Sequence, residues 1–170
     1  YGIACCVSYQ EIGKRIQHFG ARCNLGKTLL LAINGGKEED EGVQIMDASL
    51  FEAVENEDGT LNYDKVLENF KKAMANVARV YAKTMYVIHY MHDKYYYEKA
   101  QMAFMDTNYG VDIAYGIAGI SIVADSLSAI KYAKTKAIRD EQGVAKDFQT
   151  EGEFPMYGND DDRVDLIAKE

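Results

Sequence analysis

Apolar positions in the first part of the chain repeat at helical spacing. Between Gln10 and Ile33 they recur at steps of three and four residues, the period of an amphipathic helix. The pattern predicts one helix, or two helices joined near Gly20, ended by the turn sequence Asn34-Gly35-Gly36. The apolar positions are Ile12, Ile16, Phe19, Leu25, Leu29, Leu30 and Ile33.

A second apolar stripe predicts a long helix that ends near His92. Asn62 is a residue type that caps helix N-termini, and the stripe follows it at helical spacing. Asp93 is predicted to start or kink a further helix. The stripe consists of Leu67, Phe70, Met74, Val77, Tyr81, Met85 and Ile88.

The last part of the chain combines helix and strand patterns. A third helix is predicted from Gly116 to Tyr132, with residues small enough for close packing at Gly119, Ala124 and Ser128. Beyond residue 136 alternating residues follow an Asp/Glu/Gly turn, which predicts a hairpin ended by Pro155. Residues 37–60, rich in acidic residues and glycine, predict a surface excursion with one weak strand at most.

Charge and composition narrow the classes of function. The chain has 170 residues, 48% of them hydrophobic, and a net charge of −8, so we expect a globular core and no general binding to nucleic acid. No apolar run approaches the eighteen or so residues that a membrane-spanning helix needs. The first residue is Tyr1, and we expect the chain to be a piece of a longer protein. Three cysteines without a spaced framework favour a reducing, cytoplasmic location.

Cys5 and Cys6 are the best candidates for chemistry. Two consecutive cysteines are poor disulfide partners, because a relaxed bridge needs Cα atoms about 4.4–6.8 Å apart and neighbouring Cα atoms lie about 3.8 Å apart. Two adjacent thiols can reach one substrate and perform different tasks. The alternative from the residues alone is that both are small buried hydrophobic residues.

Two other motifs are weak. Gly26-Lys27-Thr28 resembles the end of a phosphate-binding loop, but the loop needs a glycine where this chain has Ala21, and the segment is predicted to lie within a helix and not after a strand. His89 and His92 lie one helical turn apart near Asp93, but no third ligand stands at suitable spacing. We therefore expect neither a nucleotide site nor a metal site.

Several segments resemble pyruvate formate-lyase, a glycyl-radical enzyme also called formate acetyltransferase. They are IACCVS, FGAR, NLGKTLLLAINGG, YVIHYMHDKYYYE, GIAGISIVADSLSAIKYAK and EGEFPMYGN, so the resemblance covers nearly the whole chain. It implies a helix-rich part of a ten-stranded α/β barrel, with residues 1–170 belonging to a single domain that is incomplete at both ends. The paired cysteines would lie at the tip of a finger loop.

The resemblance also implies roles for four residues. Cys6 would relay a hydrogen atom to the glycyl radical, and the Cys5 thiyl would add to the carbonyl carbon of pyruvate, expel a formate radical anion and retain the acetyl group as a thioester. Arg22 matches the arginine that holds the substrate carboxylate, a task suited to a planar guanidinium. Phe19 matches an aromatic wall of the same pocket, although core packing is an equally good interpretation of Phe19 alone.

Coenzyme A is the implied acceptor of the acetyl group, and the implied partners are a radical S-adenosylmethionine activating enzyme and a second copy in a homodimer. We expect no metal or other cofactor in this segment, with the radical glycine located elsewhere in the full-length protein. Related dehydratases carry a single cysteine followed by Val-Glu, so the Cys5-Cys6 pair favours the formate-lyase branch. Three alternatives stay open: the same chemistry on 2-oxobutyrate, a non-catalytic fragment or binding subunit, and a conventional thiol hydrolase.

Overall fold

The computed structural model describes residues 2–5, 8–11, 13–18, 21–95 and 108–170. The chain divides into two compact units, the first formed by Tyr1–Cys23 and Ala78–Ile117 and the second by Asn24–Val77 and Ala118–Glu170. Helices and strands occur in both units, which agrees with the expected α/β class. The ten-stranded barrel and the single larger domain stay predictions.

The described part of the first unit combines short strands with the later part of a long helix. Strand β1 (Gly2–Cys5) pairs antiparallel with β2 (Ser8–Glu11), and β3 (Arg15–His18) pairs in parallel with β5 (Gly110–Ile113). Strand β4 (Arg22–Asn24) pairs with β6 (Gly116–Ala118).

The predicted helix over residues 10–33 is therefore wrong in its first half. Helix α1 spans only Leu25–Ile33, and the residues before it form β2, β3 and β4. Each of these strands has three or four residues, and β3 finds its partner in β5, far along the chain. Pairing with distant segments overrides the local helical period, which explains the error.

Helix α2 spans Tyr63–Lys94 and confirms the long predicted helix. The side chain of Asn62 accepts a hydrogen bond from the backbone N–H of Lys65 at 3.1 Å, which is the geometry of an N-cap. Asp93 does not start a new helix, because α2 continues through it. The first part of α2 belongs to the second unit and its later part to the first unit.

The core of the second unit lies between α1, the first half of α2 and the segment that connects them. Leu31, Ala32, Met46 and Ala73 form a buried apolar cluster. Val54 in the same connection is only 2% exposed. Residues 37–60 are mostly irregular, as predicted, but they contribute to the core and are more than a surface excursion.

The rest of the second unit contains α3, a hairpin and a last helix. Helix α3 (Ile120–Tyr132) is shorter than the predicted Gly116–Tyr132 because residues 116–118 form β6. The predicted hairpin is confirmed as β7 (Lys134–Arg139) and β8 (Ala145–Glu151). Helix α4 (Asp162–Lys169), which the sequence analysis did not predict, packs against α3.

Candidate active site

Cys5 is the last residue of β1, at the end where the hairpin closes. Its backbone partner across the β1–β2 ladder is Ser8, the first residue of β2. Cys6, which follows Cys5 directly, and Phe19 lie outside the described residues. The backbone therefore locates Cys5 at the end of β1, opposite the first residue of β2.

Arg22 is the first residue of β4, and its side chain is exposed. The strand pairs with β6, which begins at Gly116. Pairing with β6 fixes the backbone direction at Arg22.

Tyr81 connects α2 to the backbone around Arg22. Its hydroxyl lies 2.6 Å from the carbonyl oxygen of Ala21 and 3.1 Å from that of Gly116. Its ring packs edge-on against Tyr115, with 5.3 Å between ring centroids and an interplanar angle of 87°. The side chain is half-buried, and its hydroxyl contacts the residue before β4 and the first residue of β6.

The sequence reasoning treated Tyr81 as one apolar position of the α2 stripe and missed this role. The available signal was the hydroxyl, because a buried tyrosine O–H usually finds a hydrogen-bond acceptor. Burial raises the pKa of Tyr81 above its ordinary value of 10.0, while the positive charge of nearby Arg22 acts in the opposite direction. The phenol is therefore protonated at neutral pH and can donate.

A second feature of the first unit is the ion pair between Arg15 on β3 and Asp112 on β5. Arg15 donates from Nε and Nη2 to the two carboxylate oxygens at 2.9 and 2.7 Å. The hydrogen bond to Arg15 holds the pKa of Asp112 below its ordinary value. Both side chains reach solvent, so this pair fixes the register of the strands more than it adds stability.

The Gly26-Lys27-Thr28 segment follows β4 directly, which corrects the prediction that no strand precedes it. It occupies the first turn of α1, where the Asn24 side chain accepts from the Lys27 backbone N–H at 3.1 Å. The Lys27 ammonium pairs with Glu39, and the Thr28 hydroxyl donates to the Asn24 carbonyl at 2.9 Å. A phosphate-binding loop uses its backbone N–H, lysine ammonium and threonine hydroxyl groups to bind the ligand. In this chain the corresponding groups of Lys27 and Thr28 bond to other residues of the same chain.

His89 and His92 both lie on α2, as predicted, and are half-buried. Across the ranges that the structure describes, no three His, Cys, Asp or Glu side chains are grouped so that they could hold a metal ion. No helix in the same ranges combines the length and apolar character needed to cross a membrane.

The second unit contains an apolar cavity of about 400 Å³ between α1, α3 and the β7–β8 hairpin. Leucine, isoleucine and phenylalanine side chains form half of its wall, and Asp125 is its charged residue. Of the predicted site residues that the structure describes, neither Cys5 nor Arg22 lines it. A cavity of this composition suits packing better than the binding of a small carboxylic acid.

The whole sequence matches a known family. Residues 1–170 match the profile described as Pyruvate formate lyase-like. The chain is 52% identical over 170 residues to the "PFL-like enzyme TdcE" of Escherichia coli (strain K12), an alignment that covers 99% of this chain and 22% of that protein. The chain thus spans 22% of the length of the curated relative that it matches. These findings confirm the resemblance drawn from the motifs: the chain belongs to the pyruvate formate lyase-like family of glycyl-radical enzymes.

Proposed function

We propose that the protein that carries this chain is a formate C-acetyltransferase. It would cleave pyruvate and transfer the acetyl group to coenzyme A, with acetyl-coenzyme A and formate as products. The observation that carries the proposal is the pair of consecutive cysteines, Cys5 and Cys6, in a chain of this family, with Cys5 as the last residue of β1.

Two neighbouring sulfurs suit a reaction that needs both hydrogen-atom transfer and covalent capture. A thiol hydrogen is weak enough to exchange with a carbon radical, and a thioester is a good donor of its acyl group to another thiol. Activation by radical formation needs no base beside the cysteines, unlike the thiolate of a conventional thiol hydrolase. A glycyl radical elsewhere in the full-length protein would supply the unpaired electron.

The proposed steps balance in atoms and electrons. Cys6 first gives its thiol hydrogen atom to the glycyl radical, and the Cys6 thiyl then takes the hydrogen atom of the Cys5 thiol. The Cys5 thiyl adds to the carbonyl carbon of pyruvate, and the bond to the carboxylate carbon breaks to release a formate radical anion. That anion takes the hydrogen atom of the Cys6 thiol and leaves as formate, and the Cys6 thiyl then takes a hydrogen atom back from the glycine, which restores the glycyl radical. The coenzyme A thiol then displaces Cys5 from the acetyl thioester and takes the acetyl group.

Arg22 is proposed to bind the carboxylate of the 2-oxo acid. A planar guanidinium on a paired strand has the geometry to donate two parallel hydrogen bonds to two carboxylate oxygens. Phe19 is proposed as an aromatic wall that keeps water away from the radical intermediates. The same proposal includes a homodimer, a radical S-adenosylmethionine activating enzyme as partner, and a cytoplasmic location in cells that ferment without oxygen.

The test uses the full-length protein, activated without oxygen and assayed with pyruvate and with 2-oxobutyrate. Cys5→Ser and Cys6→Ser should each abolish cleavage, while electron paramagnetic resonance still detects the glycyl radical. Cys23→Ser is the matched control and should retain cleavage. In the unsubstituted protein without coenzyme A, mass spectrometry should find the acetyl group on Cys5.

Four results would count against the proposal. A fully active Cys5→Ser protein would remove the covalent role of Cys5, and cleavage without radical activation would point to a thiol hydrolase. A full reading frame without a radical-bearing glycine would leave a non-catalytic protein. Faster turnover of 2-oxobutyrate than of pyruvate would keep the chemistry and change the substrate.

A further inference from the structure

The Tyr81 hydroxyl contacts the carbonyl group that immediately precedes Arg22. The Ala21 carbonyl belongs to the peptide bond that joins Ala21 to Arg22, and it accepts from Tyr81 at 2.6 Å. The Gly116 carbonyl, at the start of the paired strand β6, lies 3.1 Å from the same hydroxyl. One hydroxyl proton is therefore shared between two carbonyls, with the stronger bond on the Arg22 side.

Aromatic packing fixes the position from which this hydroxyl donates. The ring of Tyr81 meets the ring of Tyr115 edge-on, an arrangement that aromatic pairs prefer. Tyr115 directly precedes Gly116, so the ring contact and the second hydrogen bond restrain the same stretch of backbone. Tyr81 is thus held at both ends, by its helix and by the strand it contacts.

We infer that Tyr81 is a positioning residue for Arg22, holding the backbone of β4 so that the guanidinium meets the substrate carboxylate in a fixed direction. The inference rests on the proposed role of Arg22. Bidentate recognition depends on the orientation of the planar guanidinium, and small displacements of a positioned group reduce its effect on the bound substrate. Tyr81 itself touches no substrate in this proposal.

The test is a Tyr81→Phe substitution in the activated full-length protein, which removes the hydroxyl and keeps the ring. The KM for pyruvate should rise roughly three- to tenfold, the loss expected for one hydrogen bond, while the KM for coenzyme A stays unchanged. Tyr86→Phe is the matched control, since Tyr86 lies on the same helix and is 62% exposed. It should change neither constant.

A double-mutant cycle with Arg22→Lys separates positioning from packing. If Tyr81 acts through Arg22, the effect of Tyr81→Phe on the KM for pyruvate should shrink in the Arg22→Lys background, because the two residues are coupled. Independent, multiplicative effects would overturn the inference, and so would an unchanged KM for pyruvate or a Tyr81→Phe protein that does not fold. If Arg22→Lys alone leaves the KM for pyruvate unchanged, Arg22 does not bind the substrate carboxylate as proposed. The positioning role of Tyr81 is then rejected as well, because it depends on that role of Arg22.

Discussion

Arg139 on β7 donates from Nη1 to the side-chain oxygen of Asn34 at 3.1 Å, just beyond the end of α1. The same oxygen of Asn34, a residue only 6% exposed, accepts the backbone N–H of Ala145 at 2.9 Å. Arg139 also donates to the Ile33 carbonyl at 3.2 Å and to the Gly143 carbonyl at 2.9 Å. One guanidinium therefore joins the end of α1 to both sides of the β7–β8 turn.

Replacing Arg139 with Lys should destabilise the hairpin by about 1–3 kcal/mol, because an ammonium group cannot satisfy acceptors in so many directions. Hydrogen–deuterium exchange of the peptide that contains Ala145 measures the loss in the full-length protein. Arg163→Lys is the control. The Arg163 side chain is 60% exposed and pairs with Asp161, so its replacement should cost less than about 0.5 kcal/mol. Equal losses would contradict the expectation.

A Gly119→Ala substitution should destabilise the start of α3. Gly119 has φ of +97°, and a Cβ at this position would lie 3.3 Å from the backbone nitrogen of Gly26. The left-handed backbone alone costs a non-glycine residue about 1–2 kcal/mol, and the contact adds to that cost. Thermal unfolding monitored by circular dichroism provides the measurement.

The control for that substitution is Gly59→Ala. Gly59 has φ of +79° with nothing within 4 Å of the Cβ position. Its replacement by alanine therefore costs only the free energy of the left-handed backbone conformation. We expect Gly119→Ala to lower the melting temperature more than Gly59→Ala does. The reverse order would mean that the close approach of α1 and α3 is easily relaxed.

The β7–β8 turn should weaken in acid because of Asp140. Its carboxylate accepts the backbone N–H groups of Val144 and Gln142, both at 2.9 Å, and the Val144 bond is the main cause that lowers the pKa of Asp140 below 3.8. Since the folded-state pKa is lower than the unfolded one, the carboxylate stabilises the fold above the unfolded pKa. That contribution is lost as the pH falls through the folded-state pKa.

Amide exchange of residues 141–146, corrected for intrinsic rates, should therefore accelerate below about pH 4 in the unsubstituted protein. Asp140→Asn keeps an acceptor oxygen at every pH, so the acid-dependent acceleration should be much smaller in that variant. An identical pH profile for both proteins would assign the acid sensitivity to another carboxyl group.

Arg22→Gln should raise the KM for the 2-oxo acid about 10- to 100-fold, because it would remove the charge-assisted pair of hydrogen bonds that we propose Arg22 makes to the carboxylate. The KM for coenzyme A should remain unchanged. Initial rates of the activated full-length protein at saturating coenzyme A provide the measurement. Arg79→Gln serves as control, since Arg79 is an exposed arginine on α2 without a proposed role. A parallel rise in both KM values would argue for a general structural defect.

Local patterns predicted the elements whose stability is itself local. Helix α2 follows from its apolar stripe and its Asn62 cap, and the β7–β8 hairpin follows from its turn and its alternation. Strands β3 and β4 could not be predicted in this way, because their partners are β5 and β6, far along the chain. A strand of three or four residues is too short for its alternation of apolar and polar residues to indicate such pairing.

The residues of the candidate site also differ in how far the sequence could predict them. Cys5, Cys6, Arg22 and Phe19 were assigned from the family resemblance, and spacing alone left the cysteines undecided between chemistry and core packing. Tyr81 was visible in the sequence only as an apolar position. Its hydroxyl contacts the carbonyl of Ala21, just before β4, and the carbonyl of Gly116, at the start of β6, and only the tertiary structure brings these two carbonyls to the hydroxyl.

The parallel pairing of β3 with β5 has a consequence for biosynthesis. Arg15 and Asp112, which form an ion pair across these strands, are 97 positions apart in the chain. While the ribosome is still adding the residues between them, the newly made Arg15–His18 segment lacks its partner strand β5 and exposes backbone N–H and C=O groups that β5 later pairs. The β3–β5 pair, which follows the cysteine pair in the chain, therefore forms late in synthesis. A nascent chain stalled before Gly110 would need chaperone protection against aggregation through the unpaired edge of β3.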